Sequence, residues 1–174
     1  MQTSSHDLAW LNELDAREAR KELLKCCGAT RWAEAVEQSR PYRKLQDLLA
    51  RANDVWWSLT EYDWLEAFRS HPKIGEKEAA QPVAAQSQQW SAHEQRGVHD
   101  ATPDAVNKLA RLNREYEEKF SFIFIVCATG KSSDEILALL EQRLQNDPVA
   151  ELPIAAAEQA KITELRLRKL IEQQ

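Results

Sequence analysis

Apolar residues recur every three or four positions along most of this chain, the spacing of a helix face that meets a core. In DAREARKELLKCCG, Asp15 stands where an N-cap belongs and Gly28 where a C′ residue belongs. Leu23, Cys26 and Cys27 then share one face. Thr30 opens a second helix, TRWAEAVEQSRP, which Pro41 stops. A third covers about residues 42–59, with Leu45, Leu48, Leu49, Val55 and Trp56 as its buried stripe. Thr60 starts TEYDWLEAFRSHP, where Trp64, Leu65 and Phe68 lie on one side. Pro72 disfavours helical backbone at His71, so this helix is expected to end near Arg69 or Ser70. Residues 72–85 read as a connecting loop.

Ser87 starts the short helix SQQWSAHEQRG. Thr102, Pro103 and Asp104 supply the cap, the first position and the first-turn acid of the next helix. Along it Val106, Leu109, Asn113, Tyr116 and Phe120 follow one face. Ser132 or Ser133 caps SSDEILALLEQRLQ. Pro148 and Pro153 read as marks of a linker before a long last helix from about Ile154 to Ile171. The run FIFIVCA, Phe122 to Ala128, is the one stretch with strand character. With no partner strand elsewhere, it reads as a buried extended segment. The pattern as a whole predicts an all-α fold: a single compact multi-helix domain with one short buried extended segment.

Composition agrees. The 174 residues include only four glycines, and Ala, Leu, Glu, Gln, Lys and Arg dominate. Net charge is −5 without a Lys/Arg block, so no nucleic-acid partner is expected. Three cysteines, two of them adjacent, do not make a disulfide framework; free thiols in a reducing cytosol are the expectation. MQTSSHDLAW lacks the charge and apolar core of a secretory signal, LIEQQ is not a peroxisomal address, and no apolar run reaches membrane-spanning length, so a cytoplasmic protein with no membrane partner is expected.

Three constellations carry candidate chemistry. In RSHPKIGE a histidine is held in non-helical geometry at a helix exit, where it would have a defined direction and titrate near neutrality. A solvated surface turn is the plainer reading of that string. In WSAHEQRG, Ser91, Glu94 and Gln95 line one helical face with a hydroxyl, a carboxylate and an amide, while His93 points away. Alone, the plainer reading of this string too is a solvated face of a surface helix. In KITELRLRKL, Ile162 and Leu165 read as buried, flanked by Arg166 and Lys169. That is either a basic stripe near a helix C-terminus or a carboxylate-binding arginine. No metal site is expected, because Gly97 stands where HExxH would need its second histidine and no cysteines have zinc spacing. An apolar setting for Cys127 would raise its pKa and blunt it as a nucleophile.

HPxIGE, then SxxEQ, then KFxFxFIVCAxGK and a closing KITxLRL occur in this order over nearly the whole chain. Each is weak alone. In that order the chain resembles the 2-oxo-4-hydroxy-4-carboxy-5-ureidoimidazoline (OHCU) decarboxylase family, in its bacterial form. Members commonly reading HPDLAGK differ from the HPKIGEK here, so the resemblance assigns no role to Lys73.

The resemblance implies one all-helical domain over 1–174, usually a homodimer, with no cofactor and a small-molecule substrate, OHCU. It implies cofactor-independent decarboxylation to S-allantoin and CO2 in urate catabolism. His71 and Glu94 match the catalytic residues. Pro72, Ser91, Ala92, His93, Gln95, Val126, Cys127, Ala128, Thr129, Gly130 and Arg166 match substrate-binding positions, those near Val126 to Gly130 through their main chain. Arg168 lies close enough to compete for the arginine role. Two other readings make different demands. A non-catalytic helical interaction module would separate His71 from Glu94 and expose tryptophans. A related enzyme acting on another ureido acid would differ in product.

Overall fold

The computed structural model describes residues 5 to 174, with side chains from Leu8 onward. Its regular elements are α1 (Ser5–Glu13), α2 (Ala16–Leu24), α3 (Thr30–Gln38), α4 (Leu45–Ser58), α5 (Glu61–Phe68), α6 (Ala85–Glu94), a 3-10 turn (Arg96–Val98), α7 (Pro103–Phe120), α8 (Ser133–Arg143) and α9 (Pro148–Glu172). Among the described residues there is no strand, only an isolated antiparallel bridge between Pro72 and Ala79.

Local signals set several boundaries. Asp15 accepts from the Glu18 N–H and Thr102 from the Ala105 N–H, each satisfying a donor that the helix leaves open. Ser132 and Glu135 form a reciprocal capping box. Other boundaries move. α2 stops at Leu24 with Lys25 as C-cap, so Gly28 lies beyond its end. α4 begins at Leu45, and α6 begins at Ala85, before Ser87. Leu49 is half-buried, and Val106, the fourth residue of α7, is 48% exposed.

The chain divides into two compact units. One takes the described chain up to Ala67 together with Ala160–Gln174; the other is Phe68–Gln159. In the first, Leu23, Trp32, Val36, Leu48 and Trp56 are buried, and the Trp32 indole donates to the Ala52 carbonyl at 3.0 Å, tying α3 to α4. Helix α1 carries no motif that predicts it. It is fixed from outside: Arg40 Nη1 donates to the Leu11 and Leu14 carbonyls, both at 2.7 Å, closing orphan acceptors at the end of α1. Asn12 pairs with the main chain of Tyr42 in both directions.

In the second unit Tyr116, Phe120, Phe124, Ile136 and Leu140 form the centre of an apolar cluster. Residues 123–128 carry neither helix nor strand, and Phe124 to Ala128 are buried. Buried backbone polar groups need partners. Side chains supply them here: Arg143 Nη1 donates to the Ile125 carbonyl at 2.5 Å, Lys131 Nζ to the Cys127 carbonyl at 2.8 Å, and the Cys127 N–H reaches Glu158 Oε1 at 3.3 Å. The expected buried non-helical segment therefore exists without a partner strand.

The expected linker at Pro148 and Pro153 does not. Both prolines lie inside α9, Pro148 at its first position. Glu151, fully buried, accepts from Tyr116 Oη at 2.5 Å and Arg143 Nε at 2.6 Å. Asn146 Nδ2 donates to its other oxygen at 2.8 Å. These contacts anchor α9 at Glu151, between its two prolines. The carbonyl that Pro153 leaves unbonded belongs to Val149, a residue 84% exposed to water.

Candidate active site

The HPKIGE turn is built from its backbone outward. Pro72 ends α5's path, and the His71 N–H closes a last turn on the Phe68 carbonyl at 3.1 Å. The Glu76 N–H then bonds the Lys73 carbonyl at 2.9 Å, with Gly75 between them at φ +91°. A positive φ in the third place of a four-residue turn is the geometry that calls for glycine. The glycine's N–H donates to Gln95 Oε1 at 3.0 Å. Ile74 is buried and its carbonyl accepts from Asn113 Nδ2 at 2.9 Å. Lys73 pairs with Glu117 at 2.7 Å, and that hydrogen bond raises the lysine's pKa. Lys73 thus acts as a fastener of the turn onto α7. Three contacts from outside, with Gln95, Asn113 and Glu117, hold the turn, and His71 at its start is 7% exposed.

The second motif ends α6. Ser91 and Glu94 are buried on the helix, Glu94 being 8% exposed, while Ala92 and His93 face outward. Gln95 is not helical. It is the C-cap, at φ −90° and ψ 16°, and this lets its side chain reach the Gly75 N–H. Gly97 follows because the chain passes close to the turn after Ala128: a Cβ there would stand 2.0 Å from the Lys131 carbonyl oxygen. The glycine that excludes a zinc motif is a close-packing residue.

The third motif contributes Val126, Cys127 and Ala128, all buried, and Thr129 and Gly130, both exposed. Burial is the main reason the Cys127 thiol is pushed up; Lys131 opposes this, and Glu158 and Glu94 add to it. Cys127 therefore feels both carboxylates and stays a neutral thiol near pH 7.

Two residues without any motif complete the cluster. Gln159 Oε1 lies 2.6 Å from His71 Nε2, and Glu158 holds the Cys127 N–H. Their stretch, AAAEQAK, was silent in the sequence. The signal was there in one form: Gln159 occupies the helical face of buried Ala155, Ala156 and Ile162, where an amide is out of place without a partner. In the unit Phe68–Gln159, hydrogen bonds pair His71 with Gln159, Gly75 with Gln95 and Cys127 with Glu158, and the Glu158 and Glu94 carboxylates both act on the Cys127 thiol. Pro72 is buried beside His71 in sequence. Arg166 belongs to the other unit, where it is buried, donates to the Lys25 carbonyl at 3.3 Å and lowers the pKa values of Cys26 and Cys27 against their desolvation. Trp32, Trp56 and Trp90 are buried, Trp10 and Trp64 are half-buried, and Trp57 is 43% exposed and packs edge-on against Trp64.

A family model described as OHCU decarboxylase matches residues 12–168. The chain is 38% identical over 146 residues to the uric acid degradation bifunctional protein TTL of Arabidopsis thaliana, covering 83% of this chain and 45% of that protein. It therefore spans about half the length of that relative. It is 31% identical over 140 residues to the 2-oxo-4-hydroxy-4-carboxy-5-ureidoimidazoline decarboxylase of Amia calva, covering 80% of this chain and 79% of that one. A crystal structure of OHCU decarboxylase in the presence of (S)-allantoin superposes with a TM-score of 0.75 at 38% identity, covering 87% of this chain and 98% of that one. Fold and site together define an all-helical protein whose buried polar groups come from turns and helix ends and from Glu158 and Gln159 in the body of α9. The chain belongs to the OHCU decarboxylase family.

Proposed function

We propose that this protein decarboxylates OHCU to S-allantoin and CO2 without a cofactor, with His71 and Glu94 as its proton-handling pair. The observation that supports this reading is that His71 and Glu94, on the family's motif positions, are both buried in one unit, with Gly75 of the first motif bonded to Gln95 of the second. The substrate holds a hydroxyl and a carboxylate on one ring carbon next to a C=N bond. When the carbon–carboxylate bond breaks, its electron pair moves into the ring and onto the C=N nitrogen, which takes a proton. The substrate is its own electron sink, the service for which other decarboxylations recruit an organic cofactor. The resulting enol then loses its hydroxyl proton to Glu94, and the neighbouring ring carbon gains one from His71. One proton is taken up per CO2 released.

Fixing the ring makes that last proton arrive on one face. Ser91, Gln95, Pro72 and the main chain of Val126 to Gly130 fill that role in this reading, with Ala92 and His93 supporting it from the same turn. For Arg166 the reading rests on the family pattern alone: it offsets substrate negative charge on an acidic chain. The protein is further read as cytoplasmic, which its three free cysteines favour, and as a homodimer on the family pattern alone.

The test is circular dichroism of a coupled reaction, in which urate oxidase and the following hydrolase make the unstable substrate in place. Wild type is expected to speed the appearance of optically active S-allantoin, while His71→Asn and Glu94→Gln are not. Slow racemic product with wild type would overturn the reading.

A further inference from the structure

We propose that Gln159 is a positioning residue for His71: its amide oxygen accepts from Nε2–H and so fixes which ring nitrogen carries the proton. The two atoms lie 2.6 Å apart, joining residues 88 positions apart in sequence. Gln159 is fully buried, and His71 nearly so. An amide oxygen only accepts, so this contact requires a proton on Nε2. In the neutral ring the lone pair then sits on Nδ1. In the imidazolium the same Nε2–H still donates to the same oxygen. The ring can therefore gain and lose a proton at Nδ1 while the bond to Gln159 persists.

Backbone anchoring alone does not achieve this. The His71–Phe68 main-chain bond and Pro72 fix where the side chain begins, but the ring can still turn about its own bond. Gln159 grips the ring itself, from α9. It is itself held on α9 between fully buried Ala155 and Ala156 and buried Ile162, one position after Glu158, which binds the Cys127 N–H. One turn of α9 thus supports both the imidazole and the non-helical segment. A neutral amide does so without adding a charge next to the ring, which a carboxylate would.

The kinetic half of this inference rests on the decarboxylase reading; the tautomer does not, because it is measured without substrate. In protein labelled with 15N-histidine, two-bond 1H–15N correlations report each ring's tautomer. The chain has four histidines, and the His71 signals are those missing from His71→Asn. Wild type is expected to show the Nε2–H form. Gln159→Leu is expected to mix the tautomers and to lower kcat about ten- to hundredfold with KM little changed. Gln159→Glu, which keeps an acceptor oxygen, is expected to retain the Nε2–H form. An Nδ1–H form in wild type, or an unaltered His71 spectrum in Gln159→Leu, would overturn the proposal. If Gln159→Leu does not fold, Gln159→Glu decides it, since loss of the Nε2–H form there has the same meaning. If the tautomer behaves as expected but no variant, nor wild type, makes S-allantoin, the decarboxylase reading has failed and the positioning contact stands.

Discussion

Arg143 and Glu151 meet at 2.5 Å in the interior of the unit Phe68–Gln159, with Tyr116 and Asn146 closing the remaining acceptor sites. His71 and Glu94 are buried in the same unit to nearly the same degree, yet they are held quite differently. The first cluster joins side chains of α7, α8 and α9, with opposite charges in direct contact. The second places its groups at helix ends and turns: His71 after α5, Glu94 at the last position of α6, Gln95 at its C-cap, Cys127 in a segment without regular structure. Groups on helix bodies that cancel each other hold a fold together. Groups on turns, anchored through main-chain bonds, can be aimed at something else. The difference tells which buried polar residues to suspect of chemistry when exposure alone does not.

Breaking each cluster should therefore give opposite signatures. His71→Asn is expected to lower kcat by about 10²–10⁴ while urea unfolding changes by only about 1 kcal/mol. Arg143→Met is expected to cost about 3–5 kcal/mol in the same unfolding experiment, because it leaves the Glu151 charge buried without its partner. Activity per folded molecule should fall far less than in His71→Asn, since Arg143 bears on the proposed site only through its bond to the Ile125 carbonyl. The reverse pairing of effects would sink the comparison.

Gly97→Ala falls between the two. A Cβ 2.0 Å from the Lys131 carbonyl forces the backbone apart just after Glu94 and Gln95. An overpacking cost of about 1–3 kcal/mol is expected, together with a raised KM, both read from one purified variant.

A smaller effect distinguishes the other unit. Burial pushes the Cys27 thiol from its ordinary 9.0 up to about 12, against weaker lowering by the Ala29 backbone and Thr163. The folded state thus keeps the proton that the unfolded chain releases. This stability is fully present below pH 9 and is lost as pH rises from about 9 towards about 12. Cys27→Ala should flatten the alkaline limb of a plot of unfolding free energy against pH, and an unchanged limb would contradict the assignment.

The smallest effect is expected at Cys127→Ala. In the proposed reading its main chain, not its thiol, meets the substrate, and a thiol kept neutral by burial is a poor nucleophile. An unchanged kcat in the dichroism assay checks this.

The sequence by itself determined the all-helical character, most helix starts, the buried non-helical run and the ordered motifs that point to the site. These are local properties: Asp15, Thr102 and Ser132 bond to groups three residues away, and Pro72 restricts its immediate neighbour. Tertiary structure decided the rest. α1 is held by Arg40 and Tyr42, about 30 residues on, and Pro148 and Pro153 lie within a helix because Glu151 is anchored by Tyr116 and Arg143. Gln95 leaves its helix to meet Gly75, and Gln159 reaches His71 across 88 positions. Contacts of that range leave no periodicity in the chain. Their energy depends on which distant groups burial brings together, so only the folded molecule can reveal them.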